Sequence, residues 1–282
     1  MMVAMRTRSM LFGPAERTDF VAKFVRAGAD IGVLDLEDAT PEARKSAARD
    51  VLVDDAPGRR DLGDMVLLVR TNDVVTGHFA DDVAAAADCG ARGVVVPKLE
   101  NASQVGKVRE HMNSAGLGDA ILCAGIESAL GVHRAPEITT AGVEIAYFGA
   151  EDFITDMGGV RTAENTEVVY ARSQVALAAR LGNVPVLDQI VADYTADDRF
   201  IAEATQARAM GYRGKLCIHP NQVALANVAF SPSENELEWA RGVVSAAEAA
   251  EQAGAGVVAY EGTMVDAPII NRARRLLAEF ES

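Results

Sequence analysis

Short apolar runs alternate with longer, Ala-rich stretches of helical spacing along most of the chain. The runs cover residues 10–12, 31–36, 65–69, 93–96, 120–126, 145–148, 184–187 and 215–218. Each has the length and two-sided hydrophobicity of a strand buried in a parallel sheet. The stretches between and after them, residues 17–26, 41–53, 76–87, 102–113, 130–139, 164–181, 197–210 and 221–230, read as helices. Gly28, Gly182 and Gly211 stand where helices would end, and Pro41 and Pro220 near where they would begin. Eight strand-helix units within residues 1–230 predict an α/β fold, a TIM (β/α)8 barrel. An open doubly wound sheet gives the same local pattern and is the alternative. Residues 231–282 predict a long helix, a Gly-bearing segment VVAYEGTMVDAP and a last helix, a C-terminal helical extension suited to a lid or a subunit contact.

Composition narrows the class of function. The 282 residues are enough for a substantial core, and no apolar run reaches the ~20 residues that span a bilayer, so membrane insertion is not expected. With 41 acidic against 27 basic side chains the average field repels phosphate backbones and anionic lipid, and nucleic acid is not an expected partner. The opening MMVAMRTRSMLFGP lacks an apolar stretch long enough for a secretory signal, and Cys89, Cys123 and Cys217 are isolated. A cytoplasmic protein with buried free thiols is the expectation. No GxGxxG follows a strand and no GxxxxGK[ST] occurs, which disfavours dinucleotide and P-loop chemistry.

In a barrel the chemistry sits at the C-terminal ends of the strands, and polar residues end these apolar runs repeatedly. Asp35, Glu37 and Asp38 close the second run, Arg70 and Asn72 follow the third, and Lys98 the fourth. Glu127 follows the fifth, Glu151 and Asp152 the sixth, Asp188 the seventh, and His219 and Gln222 the eighth. Carboxylates converging on one end repel one another unless a cation compensates, and a hard divalent ion such as Mg²⁺ takes oxygen ligands of this kind. Glu127 and Asp152 fit that role best; helix capping or salt bridging is the bland alternative. Arg70 can grip a carboxylate or carbonyl through its two-pronged donor face, or neutralise the acidic cluster on the neighbouring strand. Arg8 and Lys98 can meet a phosphate or a substrate carboxylate, or serve only as charge balance. Asp156, four residues beyond Asp152, is expected on the same helical face as an orienter of the metal ligand. His219 has no catalytic partner and reads as a structural histidine. Ser128 beside Glu127 also lacks a histidine that spacing would pair with it.

The segments RSMLFGP, DLEDATPEARKSAARD, VLLVRTN, VVVPKLE, GIESALGV, AYFGAEDFITDMG, KLCIHPNQV and GTMVDAP, in this order, resemble the citrate lyase beta subunit-like members of the HpcH/HpaI aldolase superfamily. The resemblance spans nearly the whole chain. It implies a TIM barrel with a C-terminal extension that assembles as a homotrimer or hexamer. The activity it implies is that of a Mg²⁺-dependent carbon-carbon lyase acting on acyl-CoA thioesters of hydroxy acids, of malyl-CoA or citramalyl-CoA type, run also as a synthase or thioesterase. The family's metal carboxylates fall on Glu127 and Asp152, its substrate-contacting arginine on Arg70, and its acidic pair that orders the metal's waters on Glu37 and Asp38. An aspartate that reaches a neighbouring subunit's site falls on Asp266. The family's Val-Pro-Gly-Asn turn after the first strand is here Gly13, Pro14, Ala15, Glu16, a departure at the expected mouth for CoA. A free 2-keto-3-deoxy acid aldolase without CoA and a citrate lyase beta subunit inactive outside its complex are the alternatives.

Overall fold

The computed structural model describes residues 5–252 and 258–280. The chain divides into two compact units, Met1–Phe230 and Ser231–Ser282. In the first, eight parallel strands close into a barrel in sequence order, so the open-sheet alternative falls. The strands are β1 Ser9–Pro14, β2 Ile31–Asp35, β3 Val66–Arg70, β4 Gly93–Val96, β5 Ile121–Ile126, β6 Ile145–Phe148, β7 Val186–Asp188 and β8 Gly214–Cys217. Closure is made by β8 beside β1, with Met10 opposite Leu216 and Ser9 opposite Lys215. No helix among the described residues is long and apolar enough to cross a membrane.

Alternation along each strand sorts the side chains. Met10, Val33, Leu68, Val95, Cys123, Ile145, Tyr147, Leu187 and Leu216 fill the barrel interior. Leu11, Leu34, Val69, Val94, Ala124, Phe148 and Cys217 face the surrounding helices. The three cysteines are buried and unbridged, as expected.

The helices of the first unit are α1 Phe20–Ala27, α2 Lys45–Asp55, α3 Phe79–Asp88, α4 Ala102–Ser114, α5 Ala129–His133, α6 Ala135–Thr140, α7 Ala150–Asp156, α8 Val169–Gly182, α9 Asp197–Met210 and α10 Pro220–Ala229. The single helix expected over 130–139 is two, α5 and α6, joined at Arg134. Pro136 has no N–H to donate back toward Val132 and crowds the preceding turn, so the helix must restart there. The helices expected from Arg17 and Thr76 begin later, at Phe20 and Phe79, after turns in which the amide of Arg17 bonds to the Pro14 carbonyl and that of Thr76 to the Asp73 carbonyl.

Asp188 ends β7 but belongs to a buried ionic strut rather than to the mouth. Since Leu187 points inward, Asp188 points outward, where Arg172 of α8 bonds both its oxygens at 3.0 Å and the Lys215 ammonium of β8 lies at 2.8 Å. Arg172, Asp188 and Lys215 are fully buried, and Lys215 also reaches Glu203 of α9. Burial raises the Glu203 carboxyl, but Lys215, Arg199, Asn165 and Gln189 outweigh it and bring it down to about 2.

The second unit comprises α11 Glu234–Gln252, an antiparallel hairpin of β9 Val258–Tyr260 and β10 Thr263–Val265, and α12 Ala267–Phe280. Ala240, Val243, Val265 and Ala273 form its small core. Ser233 and Glu236 satisfy each other's amide and hydroxyl at the start of α11, a reciprocal cap.

Candidate active site at the C-terminal end of the barrel

Asp35 and Arg70 are register partners at the ends of β2 and β3, and both continue the inward-facing rows that begin with Val33 and Leu68. Arg70 forks onto Asp35, Nε to Oδ1 at 2.7 Å and Nη2 to Oδ2 at 2.6 Å, and Nη2 also meets Asp38 Oδ2 at 3.1 Å. Its Nη1 lies 3.0 Å from Glu37 Oε2 but outside hydrogen-bonding alignment, so this buried oxygen has charge compensation without a donor. Burial opposes the charge on Arg70, yet Asp35 and Glu37 more than reverse this and hold the guanidinium protonated more firmly than usual. The carboxylate-neutralising role weighed for Arg70 is therefore realised, and its guanidinium still borders the mouth.

Glu127 follows β5 directly and points inward, almost wholly buried. Its Oε1 accepts from the Lys98 amide at 2.9 Å and from the Tyr147 hydroxyl at 3.2 Å. Oε2 takes no donor among the described residues. Burial, reinforced by the negative charges of Glu37 and Asp152, raises the Glu127 carboxyl to about 7. Gly149 makes its position possible: a Cβ there would stand 2.2 Å from Oε2. Asp152 lies three residues on, in the first turn of α7, where a negative charge is favoured by the helix dipole.

Lys98 links these carboxylates. Its ammonium lies 2.6 Å from Glu37 Oε1 and 3.6 Å from Asp152 Oδ1, while its backbone, at φ 53°, turns the amide toward Glu127. Burial works against its charge, but the surrounding carboxylates raise its proton affinity further. Burial also raises Glu37, and Arg70 and Lys98 offset this only in part.

The rim so assembled holds Glu37, Asp38, Arg70, Lys98, Glu127 and Asp152 together, and Asp35 with them. Arg8 is elsewhere. It precedes β1 at the opposite end of the barrel, clamped on Asp30 by two side-chain bonds of 2.9 and 2.7 Å, so the expectation that it meets a cofactor at the mouth is corrected. A residue before a parallel strand lies at the non-catalytic end. Asp156 is likewise not an orienter of Asp152: its Oδ2 accepts from the Ala129 amide at 2.7 Å, tying α7 to the start of α5. His219 caps α10 through Nδ1 and stacks on Tyr194, and Ser128 caps α5, both structural. Asn72 is held by Asp82 of α3. Asp266 caps α12 in the second unit, its Oδ1 accepting from the Ile269 amide at 3.3 Å. Tyr147 was hidden in the apolar run AYF; only the inward parity it shares with Ile145 signals that its hydroxyl stands in the barrel.

Among the described residues no three His, Cys, Asp or Glu side chains gather into a cage that encloses an ion. Glu127 and Asp152 instead offer an open two-carboxylate site. An octahedral Mg²⁺ retains waters or substrate oxygens in its remaining positions, so the donor set fits that ion. The unpartnered Oε2 of Glu127, and the repulsion that Glu37 and Asp152 exert on it, are what a bound cation would relieve.

Residues 8–220 match the family described as HpcH/HpaI aldolase/citrate lyase. A citrate lyase subunit beta-like protein of Deinococcus radiodurans is 46% identical over 278 residues, covering 96% of both chains. The citrate lyase subunit beta of Escherichia coli K12 is 34% identical, covering 97% of this chain and 93% of that one. The crystal structure of CitE from Mycobacterium tuberculosis in complex with magnesium, acetoacetate and coenzyme A superposes over 100% of both chains with a TM-score of 0.82 at 34% identity.

Proposed function

The chain belongs to the HpcH/HpaI aldolase/citrate lyase family, and from this premise we propose that it is a Mg²⁺-dependent carbon-carbon lyase cleaving a 3-hydroxyacyl-CoA thioester of malyl-CoA or citramalyl-CoA type. The products are acetyl-CoA and a 2-keto acid. The observation that carries this reading is the pairing of Glu127 and Asp152 with Arg70 on one rim, in a chain similar throughout to a protein solved with magnesium, acetoacetate and coenzyme A.

Glu127 and Asp152 hold the metal, which when bound polarises the hydroxyl and carbonyl oxygens of the substrate. Arg70 faces the oxyanion that develops as the carbon-carbon bond breaks, and Asp35 holds its fork in one orientation. Glu37 binds a proton more readily than an ordinary carboxylate and takes up the hydroxyl proton, with Asp38 beside it on Arg70. Lys98 holds Glu37 in place. As the hydroxyl O–H electrons become the new C=O, the broken bond leaves its pair on the thioester enolate. Asp266 of a neighbouring copy relays a proton from solvent to the enolate carbon, and Glu37 gives the proton it took back to solvent as the products leave. Residues 1–230 thus form the catalytic domain and residues 231–282 a lid over the adjacent subunit, in a cytoplasmic homotrimer or hexamer.

The test is a mass-spectrometric product assay with malyl-CoA and citramalyl-CoA in both hydroxyl configurations, with Mg²⁺ or EDTA. Metal-dependent acetyl-CoA plus a 2-keto acid is the expected result. Free CoA with an intact hydroxy acid would make the protein a thioesterase, and turnover of free hydroxy acids alone would make it an aldolase without CoA. The 34% identity to citrate lyase beta subunits favours a second reading, a subunit active only in a complex; it predicts Mg²⁺ binding with no turnover by the isolated chain.

A further inference from the structure

Tyr147 has no part in the chemistry just described, yet its surroundings are built around its hydroxyl. It faces the barrel interior from β6, directly opposite Gly125 of β5. A Cβ at Gly125 would stand 2.4 Å from the phenol oxygen, so only glycine lets the ring lie across β5. Two residues on from Gly125, just past the end of β5 and on the same inward side, is Glu127, and the hydroxyl ends 3.2 Å from its Oε1. The Lys98 amide reaches that same oxygen from β4's side, at 2.9 Å. Both donors converge on Oε1 and none on Oε2, while Gly149 leaves just enough room for the carboxylate between them.

We infer that Tyr147 is a positioning residue for the metal site: its hydroxyl and the Lys98 amide hold Oε1, so that Oε2 is presented to Mg²⁺ with the carboxylate rotation already fixed. This rests on the reading of Glu127 as a metal ligand. Hydrogen bonds that orient a ligating side chain typically change metal affinity by about 10- to 100-fold when removed. Tyr147→Phe deletes the hydroxyl while keeping the ring that packs against Cys123 and Ile145 in the interior cluster.

The experiment is calorimetric titration of Mg²⁺ into the metal-free protein and its Tyr147→Phe variant, with the melting temperature of each recorded without metal. The expected result is Mg²⁺ affinity about tenfold weaker in the variant at an unchanged metal-free melting temperature. Equal affinity in the two proteins overturns the inference and leaves the Glu127 assignment standing. An affinity loss that comes with a lowered metal-free melting temperature also overturns it, because the hydroxyl would then support the fold at large rather than the orientation of Glu127 alone. Absence of Mg²⁺ binding by the unaltered protein instead overturns the underlying reading.

Discussion

Burial and its acidic neighbours raise the Glu127 carboxyl to about 7, against 4.5 for an ordinary glutamate, and on the proposed metal assignment Mg²⁺ would compete with that proton. Mg²⁺ affinity should therefore fall below neutrality, by about tenfold per pH unit for one competing proton, as calorimetric titration from pH 5.5 to 8 would show. The metal-free fold carries the opposite signature. A carboxyl whose proton is held more tightly when folded contributes stability that is complete below pH 4.5 and is lost as the pH rises through 7, and Mg²⁺ should restore it. A melting temperature of the metal-free protein that rose across this interval would contradict the assignment. Arg70→Lys keeps the charge but loses the fork on Asp35, and kcat should drop about 10²- to 10³-fold. Equal kcat in the variant would remove Arg70 from the transition state.

At the scale of elements, the ionic strut among β7, β8, α8 and α9 makes its own prediction. Asp188→Ala strands Arg172 and Lys215 in a fully buried setting, and should cost about 3–5 kcal/mol in denaturant unfolding. A cost below 1 kcal/mol would mean the strut relaxes. The same strut marks what could be read from sequence. The apolar runs located every barrel strand within a residue or two, because two-sided burial favours apolar side chains; the β9–β10 hairpin of the second unit, exposed on one side, is not among them. Asp188 looked like a rim residue because it ends its run, but β7 turns it outward, and one residue of parity separates the mouth from the helix layer. Arg8 shows the converse: lying before its strand rather than after it, it stands at the far end of the barrel, where its charge is balanced by Asp30. Glu127, Asp152, Arg70 and Lys98 were legible because each stands just past an apolar run on the correct side. The doubly donated Oε1 and the glycines that make room for it depend on contacts between strands, which no single run reveals.

For the molecule as a whole, the role proposed for Asp266 would make the site the joint product of two copies. Asp266→Ala should lower kcat far more than it raises KM, since the proposed role is proton delivery. Mixed oligomers of Asp152→Ala and Asp266→Ala chains should regain activity that neither variant has alone, because some sites then draw an intact aspartate from each partner. No recovery on mixing would confine the reaction to one chain. Stability, by contrast, is a property of the entire fold and is only a few kcal/mol in hand for most proteins. Lys98 draws on that margin by holding φ at 53°, a conformation that costs a residue with a Cβ about 1–2 kcal/mol and glycine almost nothing. A laboratory population selected only for heat resistance should nonetheless keep lysine at position 98, because glycine would relieve the backbone by less than it costs to leave buried Glu37 and its acidic neighbours without that ammonium.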